Sequence, residues 1–351
     1  MTTLSRRDMI RSAGLATAAA YAMGLSPRVA TAQNATAAKP DANGGPGNGS
    51  GPGNAPAPVD PALFRRFNVG RFECIAFSDG IARNPQSPYP TMAPEADKAD
   101  VDAALADRFL PVDRTAMYFN VLLVKTPEAT ILCDTGSGSL MGPGAGQLEA
   151  NMAAAGVDPG SITHVFLSHA HLDHVGGLLK ADNTPRFANA RLVVNRAEHD
   201  FWTGASPDLS GLRLPDDNKK FFVKLAGDTF AAFKGKTDLI APGDHALSGI
   251  EFIDAKGHTP GHTALLIRDG DDTLLNMFDC AHHFVLNFVR PEWTVVYDAD
   301  PTQAVATRRK IFDRIAAEKL NVLGYHMPMP GLGNIRRVGS GFEWLQRPWG
   351  I

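Results

Sequence analysis

Cysteine is scarce in this sequence and scattered. Cys74, Cys133 and Cys280 are the only three in 351 residues, and no two form a CxxC pair. That spacing argues against a cysteine-built zinc site or a dithiol redox motif, and an odd count does not suit a fully paired disulfide framework. Three small buried thiols are expected. The part that reads as folded also lacks a G-x-S-x-G elbow, and no P-loop or G-x-G-x-x-G follows a strand. Serine-nucleophile and nucleotide-binding readings therefore have no support. Charge of one sign is missing too. The formal net charge is -3, which gives no reason to expect a nucleic-acid or membrane-surface partner.

What is present begins with an address. Arg6 and Arg7 form a twin-arginine pair, Arg11 adds a third positive charge, and Ala13 to Leu25 is mildly apolar and alanine-rich. "ATA" at Ala30 to Ala32 is a small-x-small cleavage signal. The apolar stretch is too short and too weakly apolar for a stable membrane span. We expect residues 1–32 to be a twin-arginine signal, read by the twin-arginine export machinery. That route carries folded proteins, so a metal can be loaded before export. The mature protein is then expected in the periplasm or outside the cell. Residues 33–62 are rich in Gly, Pro, Asn and Ala and read as a disordered tether. Residues 63–351 form the folded domain.

Within it, "FNVGRFECIAFSDG" (67–80) alternates like a half-buried strand. "YFNVLLVKT" and "ATILCDTG" pair as a hairpin across Pro127-Glu128. "THVFLSHA", "ARLVVN", "GIEFIDA", "TALLIRDG", "DTLLNMFD" and "LNVLGYH" read as strands. "GQLEANMAAAGV", "AEHDFWTG", "DNKKFFVKLAGDTFAAF" and "PTQAVATRRKIFDRIAAEK" read as helices. Strands come in consecutive groups closed by helices. The fold class expected is α/β (α+β), two facing mixed β-sheets with helices outside.

Costly polar groups cluster where these strands end. "HAHLDH" (169–174) follows the apolar run Val165-Phe166-Leu167. His169 and His171 alternate in an extended segment, so both can point one way. Asp173 and His174 follow a turn and can face the same cavity. His258 and His262 come in "GHTPGH", Asp279 ends the strand "TLLNMFD", and His326 ends "LNVLGYH". Imidazole with carboxylate suits zinc, and also manganese or iron.

These motifs, with Asp134 in "CDTG", resemble the metallo-β-lactamase superfamily, whose αββα sandwich matches the expected layers. The chain is most similar to the branch of methyl parathion hydrolases and N-acyl-homoserine lactonases. That likeness runs from about Phe64 to Trp349, through "FSDG", "GPGAGQL", "FFVKL", "YDADP" and "HMPMPGLGNIRRVGSGFEW". The resemblance implies two divalent ions. His169, His171 and His258 would hold one; Asp173, His174 and His326 the other; Asp279 would bridge them. Zinc is the default, with iron, manganese or cobalt as alternatives. It implies a metal-bridging hydroxide that attacks a carbonyl or phosphoryl centre. Asp173 would take up the proton, and Asp134 would orient a ligand imidazole. A homodimer is implied as well. True β-lactamases of the superfamily lack the bridging aspartate, so Asp279 speaks against antibiotic hydrolysis.

The remaining histidines differ by position. His262 reads as a brace of its loop by hydrogen bonds. His282 lies near where related lactonases place a substrate-contacting tyrosine. It could be a proton donor or electrophile, or a rim histidine without a role. His164, His199 and His245 read as surface or loop residues. Met141, Trp202 and Phe222 fall where the branch builds an apolar leaving-group pocket, with core packing as the alternative. Met141 stands where the parathion hydrolases have an aromatic, which weakens the case for a flat aryl leaving group. The expected function is hydrolysis of cyclic or activated esters, foremost a lactone of the acyl-homoserine type. An organophosphate triesterase or aryl-ester hydrolase is the alternative, and an exported metal-binding protein without turnover is the third.

Overall fold

The computed structural model of the protein describes residues 63–347. The signal and tether readings, and Trp349 at the end of the resemblance, lie outside the described residues. Among the described residues no helix is long and apolar enough to cross a membrane.

Among the described residues, thirteen strands form two mixed sheets, as expected. A seven-stranded sheet runs β1 to β7 in sequence order and a six-stranded sheet runs β13 to β8 in reverse. The first contains β1 (Phe64–Val69), β2 (Phe72–Asn84), β3 (Thr115–Lys125), β4 (Thr130–Cys133), β5 (His164–Leu167), β6 (Arg191–Asn195) and β7 (Thr237–Ile240). It is antiparallel through β4 and parallel from β4 to β7. The second contains β8 (Ile250–Asp254), β9 (Thr263–Asp269), β10 (Asp272–Phe278), β11 (Asn321–Gly324), β12 (Leu332–Val338) and β13 (Gly341–Gln346). Only β10 and β11 pair in parallel there. Phe166 of β5 stacks on Phe252 of β8 with centroids 5.6 Å apart, so the two sheets meet face to face. Strands covered on both sides read as continuous apolar runs, as Val121 to Val124 does.

The helices are α1 (Lys98–Ala106), α2 (Leu148–Ala154), α3 (Leu172–Val175), α4 (Arg196–Thr203), α5 (Asp216–Ala232), α6 (Leu286–Val289) and α7 (Pro301–Glu318). α7 starts on Asp300, whose side chain accepts from Gln303 N at 2.9 Å, with proline in the first turn. Its buried Arg308 donates to the carbonyls of Cys280, Pro291 and Trp293, tying residues 280–293 to the helix. The three cysteines are free and buried, as expected.

Some expectations need correction. The single strand 67–80 is the turn-linked pair β1 and β2. Gly70, at φ +56°, breaks the run where an added Cβ would meet Asp269. His164 starts β5 and His199 sits on α4 against Phe230 at 5.0 Å, both half-buried and neither in a loop. His245 is exposed.

Candidate metal centre

The parallel strand β5 delivers the first donors. Its backbone continues through Ser168 to His169 and His171, and α3 then carries Asp173 and His174. The β8–β9 connection brings His258, the end of β10 brings Asp279, and the exit of β11 brings His326. Asn120 of β3 fixes that last exit by donating to the carbonyls of Gly324, Tyr325 and Met327. His169, His171, His174, His258, Asp279 and His326 are all buried.

Their donor atoms converge. Asp279 Oδ2 lies 3.1 Å from His326 Nε2, 3.4 Å from His258 Nε2 and 3.7 Å from His169 Nε2. Its Oδ1 lies 3.2 Å from His174 Nε2. Asp173 Oδ2 is 3.6 Å from the Nε2 atoms of both His174 and His326. His171 Nδ1 comes within 2.9 Å of His258 Nε2. Four donor groups result: His169, His171 and His258; Asp173, His174 and His326; Asp279 with His169 and His174; and Asp279 with His258 and His282, whose Nε2 lies 3.1 Å from Asp279 Oδ2. The Asp279 carboxylate thus touches donors of both histidine sets.

The outward nitrogens are anchored. His174 Nδ1 donates to Asp134 at 2.7 Å, His258 Nδ1 to Asp298 at 2.8 Å, and His326 Nδ1 to the Tyr118 carbonyl at 2.9 Å. His169 Nδ1 donates to Ser168 Oγ at 3.0 Å, and that hydroxyl donates on to Asp134 at 2.7 Å. Each anchored ring therefore turns its Nε2 inward, that of His326 to Asp279 Oδ2 at 3.1 Å and that of His258 to His171 Nδ1 at 2.9 Å. The Nε2 atoms of His169, His171 and His174, and Asp279 Oδ1, are buried with no hydrogen-bond partner. Buried polar atoms without partners are costly, and anchored imidazoles with bare inward nitrogens are the donor set of a divalent metal. The residues fit that group.

Electrostatics separate the two histidine sets. Burial, together with neighbouring imidazoles, holds His169, His171 and His258 well below the ordinary histidine range, so they are neutral and ready to ligate. Burial opposes protonation of His174 and His326 as well. Asp279 and Asp173 outweigh it at both rings, with Asp134 adding at His174, and both titrate above the usual range. A proton and a dication therefore compete for those two rings. Burial works against the Asp279 carboxylate, yet the surrounding histidines hold it well below the usual carboxylate range.

The other expected residues are placed as follows. Asp134 accepts from Ser168 N, Ser168 Oγ and His174, behind the donors. His262 donates from Nδ1 to the Ala255 carbonyl at 2.9 Å and accepts the Asp279 N–H at 3.3 Å, so it braces the loop. His282 and Phe222 line the metal cavity with Met117 and Tyr297. Met141 lines a neighbouring apolar cavity with Met92, Met117 and Tyr297, one step from the donors. Trp202 does not line the metal cavity. It is buried behind His171 at 5.9 Å, with Nε1 donating to Glu198 at 2.7 Å. That position is core support.

Sequence reasoning missed several residues. Asp298 orients His258 and sits in the quoted "YDADP", the one signal that pointed to it. Glu198 is buried and accepts from Ala170 N, Trp202 Nε1, Thr259 Oγ1 and Gly261 N, binding the His169–His171 loop to the His258–His262 loop. Tyr325 stacks on His174 at 4.0 Å and donates to the Asp173 carbonyl at 2.6 Å.

A metallo-β-lactamase superfamily model matches residues 115–275. The structure of AidC, a dizinc quorum-quenching lactonase in complex with a product, is 32% identical with a TM-score of 0.78. The match covers 82% of this chain and 99% of that one. The chain belongs to the metallo-β-lactamase superfamily. A second superfamily structure, the hydrolase AbOPH, is 27% identical with a TM-score of 0.73, covering 83% of this chain and 99% of that one. An N-acyl homoserine lactonase from Bacillus sp is 29% identical over 114 residues, 32% of this chain and 36% of its own. The lactonase AttM of Rhizobium radiobacter is 29% identical over 136 residues, 37% of this chain and 45% of its own. The chain thus spans less than half the length of these curated relatives. For this superfamily member, the comparisons agree with the αββα layering seen in the fold.

Proposed function

We propose that the protein is an exported metal-dependent hydrolase of cyclic esters, acting on lactones of the acyl-homoserine type through two zinc ions. The observation that carries this is the Asp279 carboxylate, shared between two histidine-rich donor sets. The likeness to AidC supports the lactone.

His169, His171 and His258 would hold one ion, Asp173, His174 and His326 the second, and Asp279 both. A pair of divalent ions supplies a water made acidic near neutral pH and polarisation of the attacked oxygen. The protein's own groups do the rest. Asp134, Ser168, Asp298 and the Tyr118 carbonyl keep the donor lone pairs aimed inward. Phe222, Met117 and Tyr297 line the cavity with apolar surface and exclude bulk water. Asp173 keeps some solvent access, with 14% of its side chain exposed, and suits the uptake of a proton. His282 faces the same cavity with both ring nitrogens buried and without hydrogen-bond partners. It is placed to donate to a substrate oxygen.

The test is side-by-side turnover of an acyl-homoserine lactone and a nitrophenyl phosphotriester by zinc-loaded protein. Preference for the lactone supports the reading. Preference for the phosphotriester replaces it with the organophosphate alternative, and no turnover of any ester in a broad panel leaves a metal-binding protein. Export rests on the Arg6-Arg7 signal. N-terminal sequencing of the protein from the periplasmic fraction should find a start near residue 33, and an intact Met1 there would refute export by this signal.

A further inference from the structure

One imidazole at the metal centre is aimed inward by its backbone alone. His282 is 3% exposed, and neither of its ring nitrogens has a hydrogen-bond partner. Leaving both nitrogens of a buried ring unpaired is costly. The chain nevertheless holds the ring there. Asn287 Oδ1 accepts from His282 N at 2.9 Å and from His283 N at 3.1 Å, and Asn287 Nδ2 donates to the Trp293 carbonyl at 3.3 Å. Buried Arg308 donates to that same carbonyl at 2.8 Å and to the Cys280 carbonyl at 2.7 Å. The segment is tied down on both sides of His282, so the fold sets the ring's place in the cavity.

The distances show what the ring faces. His282 Nε2 lies 3.1 Å from Asp279 Oδ2, yet the two do not form a hydrogen bond. His174 Nε2 and Asp279 Oδ1 stand in the same relation at 3.2 Å, and both lack hydrogen-bond partners. Donors about 2.0–2.2 Å from one cation sit about 3–3.5 Å from each other, each with its lone pair spent on the ion. The His282 ring also lies 4.6 Å from the His258 ring, and His258, Asp279 and His282 form a donor group. His282 therefore adds a nitrogen to the set of His169, His171, His258 and Asp279. It differs from its neighbours in one respect. His169, His174, His258 and His326 each have Nδ1 anchored, whereas His282 Nδ1 has no partner. An imidazole without that anchor is a less basic and less firmly oriented ligand.

We propose that His282 is a displaceable metal ligand. Its Nε2 binds the ion held by His169, His171, His258 and Asp279 in the resting protein, and it gives way when substrate enters. This rests on the two-ion centre proposed above. Catalytic metal sites keep one position for substrate, and His282 fills that position between turnovers. A neutral ring bound through Nε2 keeps its proton on Nδ1. Released and turned over, the same ring can donate from Nδ1 to a substrate oxygen. Ligation and donation are successive roles of one side chain.

Proton NMR of cobalt(II)-loaded full-length protein tests it, because each ligating imidazole gives a strongly shifted ring N–H resonance. The wild type should show one more such resonance than His282→Phe, which keeps a flat ring without a donor. His282→Asn, too short to reach the ion, should lack the same resonance, so a folding failure of one variant leaves the other to decide. Zinc affinity by chelator competition should fall by roughly tenfold or more in both, the least that loss of an orienting partner costs. Saturating azide, a cobalt ligand whose binding does not depend on which ester is the substrate, should return the extra resonance to the ordinary range. Variants with the wild-type set of shifted resonances and zinc affinity within about twofold of wild type would overturn the proposal and leave the two-ion centre standing. A resonance that azide leaves in place would overturn displacement. A wild type that binds neither zinc nor cobalt would overturn both the proposal and the centre it rests on.

Discussion

Replacing Asp298 with Asn isolates the orienting role of one buried carboxylate. Asp298 Oδ1 accepts from His258 Nδ1 at 2.8 Å, and Oδ2 accepts from Val295 N at 3.0 Å. Asn has one oxygen for these two donors. If its oxygen keeps Val295, its NH2 faces His258 Nδ1 and selects the tautomer with the proton on Nε2. That proton sits where the metal lone pair must be. If its oxygen keeps His258, two N–H groups face each other in a dry site. Either arrangement forfeits a charge-assisted hydrogen bond of about 1.5–3 kcal/mol. Loss of such an orienting partner typically weakens metal affinity by roughly 10–100-fold, or about 1.4–2.7 kcal/mol. The two routes agree in size. Zinc affinity measured by competition with a chromophoric chelator should fall by that factor in Asp298→Asn while the far-ultraviolet circular dichroism stays unchanged. Affinity within about twofold of wild type would refute the claim that Asp298 sets the His258 tautomer.

Glu198→Gln puts an NH2 among four donors and should cost about 1–3 kcal/mol of stability and loosen metal binding, read by chemical denaturation and chelator competition. Trp202→Ala empties a buried site behind His171, so a stability loss of about 3–5 kcal/mol is expected; altered substrate preference at full stability would return Trp202 to the pocket. His283 is buried, accepts from Val285 N and Leu286 N, and is pushed down by burial to about 4. Its folded-state pKa is depressed below the ordinary 6.5, so its neutral form is favoured by folding. Stability from this group is complete above the unfolded value and is lost as pH falls from 6.5 toward 4, by up to about 3 kcal/mol. His283→Asn, which can still cap the turn, should flatten that part of the stability–pH curve; an unchanged slope would remove His283 as the cause.

The sequence showed most clearly what is local. "HAHLDH" packs four donors into a strand exit and one turn of helix, so its geometry follows from six consecutive residues. His258, Asp279 and His326 were visible because each follows an apolar run. Their partners were not. Asp298 lies 40 residues from His258, and Glu198 joins atoms 28 and 63 residues away. No local pattern reports such pairings. α1 escaped notice because only Val101 and Leu105 of its nine residues are buried, leaving an acidic surface stretch without a clear apolar stripe. β7 is only Thr237–Ile240 and lies at a sheet edge, where the alternation of a strand has little room to show. β1 and β2 merged because Gly70 and Arg71 interrupt the alternation for just two residues. Trp202 was misplaced for a different reason. An aromatic on a helix near a site has the same spacing whether it faces a cavity or supports a ligand from behind.

Elemental analysis of freshly isolated, dialysed protein by inductively coupled plasma mass spectrometry tests the centre most directly, alongside Asp279→Asn purified the same way. Two equivalents of transition metal per wild-type chain are predicted, with a clear loss in the variant, because Asp279 touches donors of both sets. Active wild-type protein with well under one equivalent, or a variant with full metal content and unchanged turnover, would contradict the account.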